Sequence, residues 1–421
     1  MKKSAFFNSF LVFTLFVFSS NPILAQNISL DFKELEAKII DSESKNSLVF
    51  TDIVIKNSNI STITNSDGKF LLKIPIALLE GSITISHLGY KKRELKISSI
   101  KNHEEIGLTP SITQLNEISI TATMKNAREL VKETLKKKSS LYNNKSTLMT
   151  AFYRETIKKR RKNASLSEAV VKIHKQPYNN ARRDHIELIK ARKSTDYSKL
   201  DTLALKLQGG PFSNLFTDII KYPEYIFNDE DLPKYKFSYG NSTSINNRQI
   251  YVVNFKQQEG HIIPLYYGKL YIDAETLALT NAVYSLNVSN RELASRMYVR
   301  KKPRKVDVYP TEATYRVNYR TTNGKWHYAY SNISLTFKVN WKGKLFNNTY
   351  TLNSEMAITD LEIQDTNLAK IRGKLIRPTT ILSEKSSGFS DPRFWGAYNI
   401  IEPEKSIESA IKKIQKQLKR T

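Results

Sequence analysis

Between residues 34 and 100 apolar and polar positions alternate in short runs broken by turn residues. "EAKIID" precedes the polar "SESKNS", "LVFTDIVIKN" precedes "SNISTITNSDGKFLLKI", and "GSITISHLGYKKRELKI" follows a break at Pro75. About seven short β-rich pieces in so few residues predict a small antiparallel sandwich. Asp67-Gly68 supplies the positive-φ position of a tight hairpin, with the Asp67 side chain expected to bond its own backbone rather than a metal. After it Phe70, Leu72 and Ile74 alternate with Lys69, Leu71 and Lys73, one oily face and one partly wet. Gly89-Tyr90 closes the "ITISHL" strand, the glycine relieving a bend and the tyrosine covering an edge.

A helix is predicted next, because "NARELVKETLKKKSSLY" sets Leu130, Val131, Thr134, Leu135 and Leu141 on one stripe. From about residue 145 to 365 the chain reads as hairpins. "LMTAFYRETI", "SLSEAVVKIH" and "HIELIKA" are strands, and "GGPFSNLFTDIIKY" is a short helical insertion opened by a Gly-Gly-Pro break. Tyr251, Val253 and Phe255 share one face; Leu270 with Ile272, and Ala282, Tyr284 and Leu286, repeat the pattern. Tyr315, Val317 and Tyr319 oppose Arg316, Asn318 and Arg320, and Asn323-Gly324 marks a type I′ hairpin. Beyond it Trp326, Tyr328 and Tyr330 fall on even positions but Ile333, Leu335, Phe337 and Val339 on odd ones, so a bulge is expected near Ser331-Asn332. Eight or more such strands with little helix curl into a barrel or half-barrel. The chain closes on "SDPRFWGAYN" and an amphipathic helix with Ile407, Ala410, Ile411, Ile414 and Leu418 on one side.

These patterns carry two resemblances. "AKIIDSESKNSLVFTDIVIKNSNISTITNSDGKFLLKIP" with "GSITISHLGYKKRELKI" resembles the carboxypeptidase-regulatory-like, transthyretin-type sandwich of exported bacterial proteins, through its first turn, the "TNSDGKFLL" hairpin and the "SHLGYKK" strand. "LNEISITAT" looks like the segment that follows such sandwiches in TonB-dependent receptors, but a helix comes next where a plug and barrel belong. "YYGKLYIDAETLALTNAVYSLNV" looks like the strand–turn–strand unit of periplasmic lipoprotein-carrier half-barrels. The expected fold is mainly β: a transthyretin-type antiparallel β-sandwich, then a larger curved antiparallel sheet or half-barrel with a few helices. The order is a signal peptide over 1–25, the sandwich over 26–110, a connector strand and helix over 111–145, the curved β domain over 146–390, and a C-terminal turn and helix over 391–421.

Composition adds a compartment and a field. Lys2 and Lys3 precede an apolar run that ends near Ala25, the layout of a cleaved secretory leader, and the run is shorter than the ~20 residues that cross a bilayer. The expected location is therefore the periplasm or the periplasmic face of the outer membrane. With no cysteine there is no disulfide framework and no thiol chemistry. The formal charge is +26, or +24 without Lys2 and Lys3. Clusters stand at Lys158, Lys159, Arg160, Arg161 and Lys162, at "ARRDHIELIKARK", and at Arg300, Lys301, Lys302, Arg304 and Lys305. For an exported chain these point to phosphate-rich surfaces such as anionic lipid head groups or lipopolysaccharide rather than nucleic acid, or else to a solvated surface.

The sequence carries no catalytic signature. Six histidines form no H-E-x-x-H pair, there is no G-x-S-x-G elbow and no phosphate loop, and no cofactor or metal is implied. His103-Glu104-Glu105 and Asp184-His185 with Glu187 come nearest to a metal cluster and read as a polar loop and an edge strand. The 22 tyrosines suit the rim of an apolar groove. Tyr251, Val253, Phe255, Leu270, Ile272, Tyr284, Leu286, Tyr315 and Val317 would line it for an acyl chain or apolar peptide, unless helix 126–138 or 407–418 fills that face. Three functions remain: a non-enzymatic envelope protein whose sandwich docks a protein partner and whose β domain binds lipid, a structural accessory of an outer-membrane system with no ligand, and a hydrolase with a dispersed site.

Overall fold

A computed structural model describes residues 32–111, 126–160, 162–195, 207–343, 347–364, 373–386, 393–405, 407 and 409. The expected signal peptide, the "LNEISITAT" strand, Arg161 and all but the first turn of the C-terminal helix lie outside them. The chain is mainly β. Seven strands form the N-terminal unit: β1 (Phe32–Asp41), β2 (Asp52–Ile55), β3 (Ser61–Ile63), β4 (Lys69–Pro75), β5 (Ser82–Ser86), β6 (Arg93–Lys96) and β7 (Glu104–Leu108). They make two facing sheets, β4-β1-β7 and β3-β2-β5-β6. The expected all-antiparallel pairing has one exception. β7 returns from the second sheet to lie parallel to β1. The alternation anticipates the core: Ile39, Ile53, Phe70, Leu72, Ile74, Ile83 and Ile85 are buried between the layers.

Gly68 takes φ +75°, and a Cβ there would come 2.8 Å from the Ile39 carbonyl oxygen, so the hairpin requires glycine twice over. Its side-chain brace is Asn65, whose Oδ1 accepts from Asp67 N at 2.9 Å and Lys69 N at 3.0 Å. Asp67 instead accepts from Lys405 N at 3.1 Å, tying the hairpin to the C-terminal segment.

Two helices follow, α1 (Ala127–Lys136), capped by the Asn126 side chain on Glu129 N, and α2 (Lys138–Leu141). The rest is one twelve-stranded sheet. Its strands are β8 (Ser146–Lys159), β9 (Lys162–Lys175), β10 (His185–Thr195), β11 (Tyr235–Tyr239), β12 (Thr243–Ile245), β13 (Arg248–Gln257), β14 (Tyr266–Asp273), β15 (Leu279–Leu286), β16 (Val306–Thr322), β17 (Lys325–Trp341), β18 (Asn348–Gln364) and β19 (Lys374–Ile376). Helix α3 (Pro211–Leu215) lies between β10 and β11, and α4 (Arg291–Tyr298) between β15 and β16. The order is β11-β13-β14-β15-β16-β17-β18-β8-β9-β10-β19, with β12 beside β13. Every neighbouring pair named in this order is antiparallel, and β18 pairs with β8 although some 200 residues separate them.

Asn323 and Gly324 have φ 51° and 74°, the two left-handed positions of the expected turn. The register shift past it falls opposite Asn318/Tyr319, between Tyr328 and Tyr330, about two positions before the expected bulge. It leaves Tyr328 and Ile333 on one face and Tyr330 on the other.

Candidate functional site

Other segments of the chain pack on both broad faces of the large sheet. One face, carrying Met149, Ala151 and Tyr153, meets the insertion between β10 and β11, where Phe212, Leu215, Ile219, Ile220, Tyr222 and Phe227 are buried against it. Helix α1 joins this plug through Ala127, Leu130 and Val131. The sequence suggested the helix as a cover and marked 209–222 as a helical insertion without giving it that role, for which its dense aromatics were the available signal.

Eight of the nine residues expected to line a groove belong to this packing, Tyr315 at its edge. Val253, Phe255, Leu270, Ile272, Tyr284 and Val317 are buried there and Tyr251 packs beside them. Leu286 belongs to a second apolar field on the same face, over the upper parts of β8, β9 and β16 to β18, which Tyr315 also borders. Tyrosine also serves differently from the expected rim. Tyr142, Tyr153, Tyr178, Tyr235, Tyr328, Tyr330 and Tyr350 are among the largest fully buried side chains. Their hydroxyls find partners, Tyr142 donating to the Leu279 carbonyl at 2.8 Å.

The second field contains Ile157, Ile333, Leu335, Phe337 and Leu352. From outside the sheet, Leu207, Val288, Tyr298 and Val299 pack against it among the described residues. Tyr298 and Tyr315 share a 2.6 Å hydroxyl contact. Both fields are buried, Leu335 keeping 9% of its surface in the second and Leu232 8% in the first. A polar seam divides the two fields. Asn214 of α3 donates to Ser331 Oγ at 2.9 Å and accepts from Ser354 Oγ at 2.8 Å. Glu155 lies one strand over, buried, accepting from Tyr153 OH at 2.8 Å.

Burial pushes the Glu155 carboxyl up from 4.5 to about 7, and the Tyr153 bond opposes only part of that rise. A raised folded pKa contributes stability that is complete below the unfolded value and fades as pH climbs through the folded one. Glu155→Gln fixes the neutral form. Relative to it the parent protein should lose about 2–3 kcal/mol between roughly pH 5 and pH 8. Parallel melting curves for the two proteins across that interval would refute this.

Chemistry-bearing side chains elsewhere are engaged with one another. Lys175, at the end of β9, gives its ammonium to Asp184 at 2.8 Å and to Asp218 at 2.7 Å, all three buried. Tyr178 and Tyr319 donate to Asp218 at 2.8 and 2.9 Å, and Tyr222 to Asp184 at 2.6 Å. Burial would lower the Lys175 ammonium, but the two carboxylates outweigh it and hold it above its ordinary value. Beside them Lys221 donates to the Pro177 and Asn180 carbonyls at 2.7 and 2.8 Å, and burial pushes it down to about 8. The stretch nearest to a metal motif is thus occupied otherwise: Asp184 holds Lys175, Glu187 meets His174 at 3.2 Å, and His185 is exposed. His103 faces Glu36 at 3.3 Å. Among the described residues no group of three metal-ligating side chains converges.

The opposite face of the large sheet carries a second ionic cluster. Arg154 and Arg192 both grip Glu168 at 2.7 Å, and Arg154 also reaches Glu355 at 3.2 Å. The C-terminal segment lies over them, with Trp395, Ile400 and Ile401 buried, the Trp395 ring 4.8 Å from the Arg192 guanidinium, and the Ile401 carbonyl accepting from Arg154 at 2.8 Å. The sandwich packs on the same face. Ser61 donates to the Ile358 carbonyl at 2.9 Å and Arg320 meets Asp52 at 2.8 Å. The partly wet face of β4 is an interface: Leu71 and Lys73 are buried, and Lys73 N donates to Asn399 Oδ1 at 2.6 Å.

Antiparallel pairing decides where the basic clusters go. The β8–β9, β13–β14, β15–β16 and β17–β18 connections all emerge at one end of the sheet. Arg160 N bonds the Thr349 carbonyl and Lys342 N the Lys305 carbonyl, both at 2.9 Å, linking adjacent connections. The Lys158–Lys162 turn and the Arg300–Lys305 run, far apart in sequence, therefore share that end. Arg160, Lys162, Arg300, Lys301, Lys302, Arg304 and Lys305 are exposed, whereas Lys158 and Lys159 are half-buried and Lys158 faces Glu404 at 3.1 Å.

No described helix is long and apolar enough to cross a membrane. No curated protein matches the chain. Among solved structures it is similar to a DUF1329 family protein from Desulfovibrio piger, at 10% identity and TM-score 0.23, over 58% of this chain and 96% of that one. A lipovitellin structure concerned with lipid–protein interactions aligns at 7% identity and TM-score 0.24, over 55% and 27% of the two chains. A Bacteroides fragilis protein described as membrane-associated and of unknown function aligns at 8% and 0.16, over 78% and 98%. Likeness this slight transfers neither fold nor function. The firm match is local: residues 35–120, which cover all but the first three residues of the double-sheet unit, match the family described as CarboxypepD_reg-like domain.

Proposed function

We propose that this is a non-enzymatic protein of the cell envelope, exported by its N-terminal leader, whose large sheet holds a lipid or another apolar chain in the second field while the sandwich docks a protein partner. The observation that carries the reading is a second apolar field on the plug's face of the sheet, separate from the one the plug covers and lined by Ile157, Ile333, Leu335, Phe337 and Leu352. Among the described residues its cover from outside the sheet is Leu207, Val288, Tyr298 and Val299, side chains that an apolar chain could displace or extend. Such a chain gains about 0.8 kcal/mol per buried CH₂. The non-enzymatic part rests on the ionic clusters, in which Lys175, Asp184, Asp218 and Glu168 are spent on one another inside the protein.

Native mass spectrometry of protein purified from its own envelope tests the reading. Stoichiometric lipid is expected, and Leu335→Trp, which fills the field, should lower occupancy about tenfold, a shift of 1.4 kcal/mol. Lipid-free protein that also excludes apolar dyes would overturn it.

A further inference from the structure

The end of the sheet that collects the basic turns also carries apolar side chains with no cover. The β13–β14 connection presents Ile262 at 73% and Ile263 at 66% exposure, and Met297 of the neighbouring α4 is 49% exposed. Isolated exposed apolar residues are ordinary, but two adjacent isoleucines at one loop tip, on the same end of the sheet as a cationic run, are not scattered singles. The tip is braced. Gln257 donates its amide to the His261 and Ile263 carbonyls at 2.6 and 2.9 Å and accepts from Leu265 N at 2.9 Å. Asn287, at the start of the connection that holds α4 and the 300–305 run, donates to the same Gln257 oxygen at 3.3 Å. The apolar tip and the cationic connection are thus fastened together at their base.

From this arrangement we infer that the end of the sheet docks on an anionic phospholipid bilayer, Ile262 and Ile263 entering the head-group boundary while the 300–305 run and the Lys158–Lys162 turn face the lipid phosphates. Charge complementarity selects this occupant. Within six residues the 300–305 run places Arg300, Lys301, Lys302, Arg304 and Lys305 in solvent, a density that an anionic surface neutralises and that a neutral apolar partner does not. The apolar pair adds what electrostatics lacks, since burial of side chains at the acyl boundary resists salt while phosphate pairing does not. The sandwich lies over a broad face of the sheet, through Ser61 and Asp52, so this orientation leaves it available to a partner. The inference concerns the same domain as the lipid-holding reading but does not need a bound cargo.

Vesicle flotation of the full chain tests it, with liposomes of phosphatidylcholine alone or with about one-third phosphatidylglycerol. The protein should float with the mixed vesicles, less so as salt rises, and not with the neutral ones. Ile262→Asp with Ile263→Asp, at exposed positions where the fold has nothing to lose, should weaken binding about a hundredfold at any salt concentration. Arg300→Gln, Lys301→Gln and Arg304→Gln together should weaken it about a hundredfold at low salt, near fivefold per cation. Because the chain has no cysteine, Ile262→Cys takes a single environment-sensitive dye. Its emission should shift to the blue on mixed vesicles, while the same dye on Thr321→Cys at the opposite end should not respond. Equal binding to both vesicle types, no binding to either, or an aspartate variant that binds like the parent would each overturn the docking. Lipid in the mass spectrum would be untouched by that failure, so the two ideas fall separately.

Discussion

Glu168→Gln should destabilise the protein by about 3–5 kcal/mol, the cost of removing one partner from a buried ion pair. The substitution changes almost no volume. Its effect is electrostatic: Arg154 and Arg192, with side chains only 3% and 9% exposed, lose the carboxylate that both grip at 2.7 Å. Burial alone would raise Glu168, yet the two guanidiniums outweigh it and hold the carboxyl below its ordinary value. A lowered folded pKa contributes stability present above the unfolded value, 4.5, and lost as pH falls below it. The parent should therefore converge on the variant in acid. Glu355→Gln should cost less, since Glu355 keeps 13% of its side-chain surface and meets Arg154 at a longer 3.2 Å.

The same loss should loosen more than the sheet. Arg154 holds the Ile401 carbonyl, while Thr62 donates to the Ile400 carbonyl at 3.1 Å and Asn65 to the Glu402 carbonyl at 3.0 Å. The C-terminal segment is a splint between sandwich and sheet, and the buried arginine fastens it. Limited proteolysis near residues 393–405 should accelerate in the variant. A midpoint within about 1 °C of the parent would show that the cluster contributes little. Replacing Arg154, Glu168 and Arg192 together by apolar residues separates pairing from packing, because such triple replacements are often neutral or stabilising.

What sequence reading reached was local. Gly68 at φ +75° and the Asn323-Gly324 turn were visible as dipeptides, because positive φ selects those residues whatever the surroundings. The sandwich core was visible as period-two alternation, since half-buried strands must expose every second side chain. Long-range placement was not. "FYRETI" and "SLSEAVV" read as strands with polar positions among apolar ones, and nothing in either says that Arg154 and Glu168 meet under a tail arriving from residue 401. Pairing of β18 with β8 follows no local signal, because each side chain sees only its own pleat. The groove residues were recognised as apolar without a means of knowing that Phe212 and Phe227 would cover most of them. The basic clusters were plain as runs of charge; only topology brings the Lys158–Lys162 turn and the Arg300–Lys305 run to one end.

Asp218→Asn should be comparably damaging, about 3–5 kcal/mol, but its consequence should be local to the plug. Asp218 follows α3 and is the point where the insertion is tied down. Its Oδ2 takes Lys175 at 2.7 Å and Tyr178 at 2.8 Å, while Oδ1 takes Tyr319 at 2.9 Å from β16. Asparagine keeps the shape but offers one carbonyl oxygen to four donors, Lys221 N among them, and turns an amide N–H₂ toward the others. Lys175 keeps Asp184 as its only carboxylate, and a buried ammonium with half its counter-charge is costly. Tyr319→Phe, which removes one donor to Asp218 and the hydroxyl that accepts from Ile220 N at 3.3 Å, should cost only about 1–2 kcal/mol. If the network fastens the plug, hydrogen exchange over residues 207–234 should quicken far more than exchange in β16 to β18, and an apolar dye should bind where Ile219, Ile220 and Phe227 lift from the sheet. Uniform acceleration across the whole sheet would mean that Asp218 serves global stability, with the insertion no looser than the strands it covers.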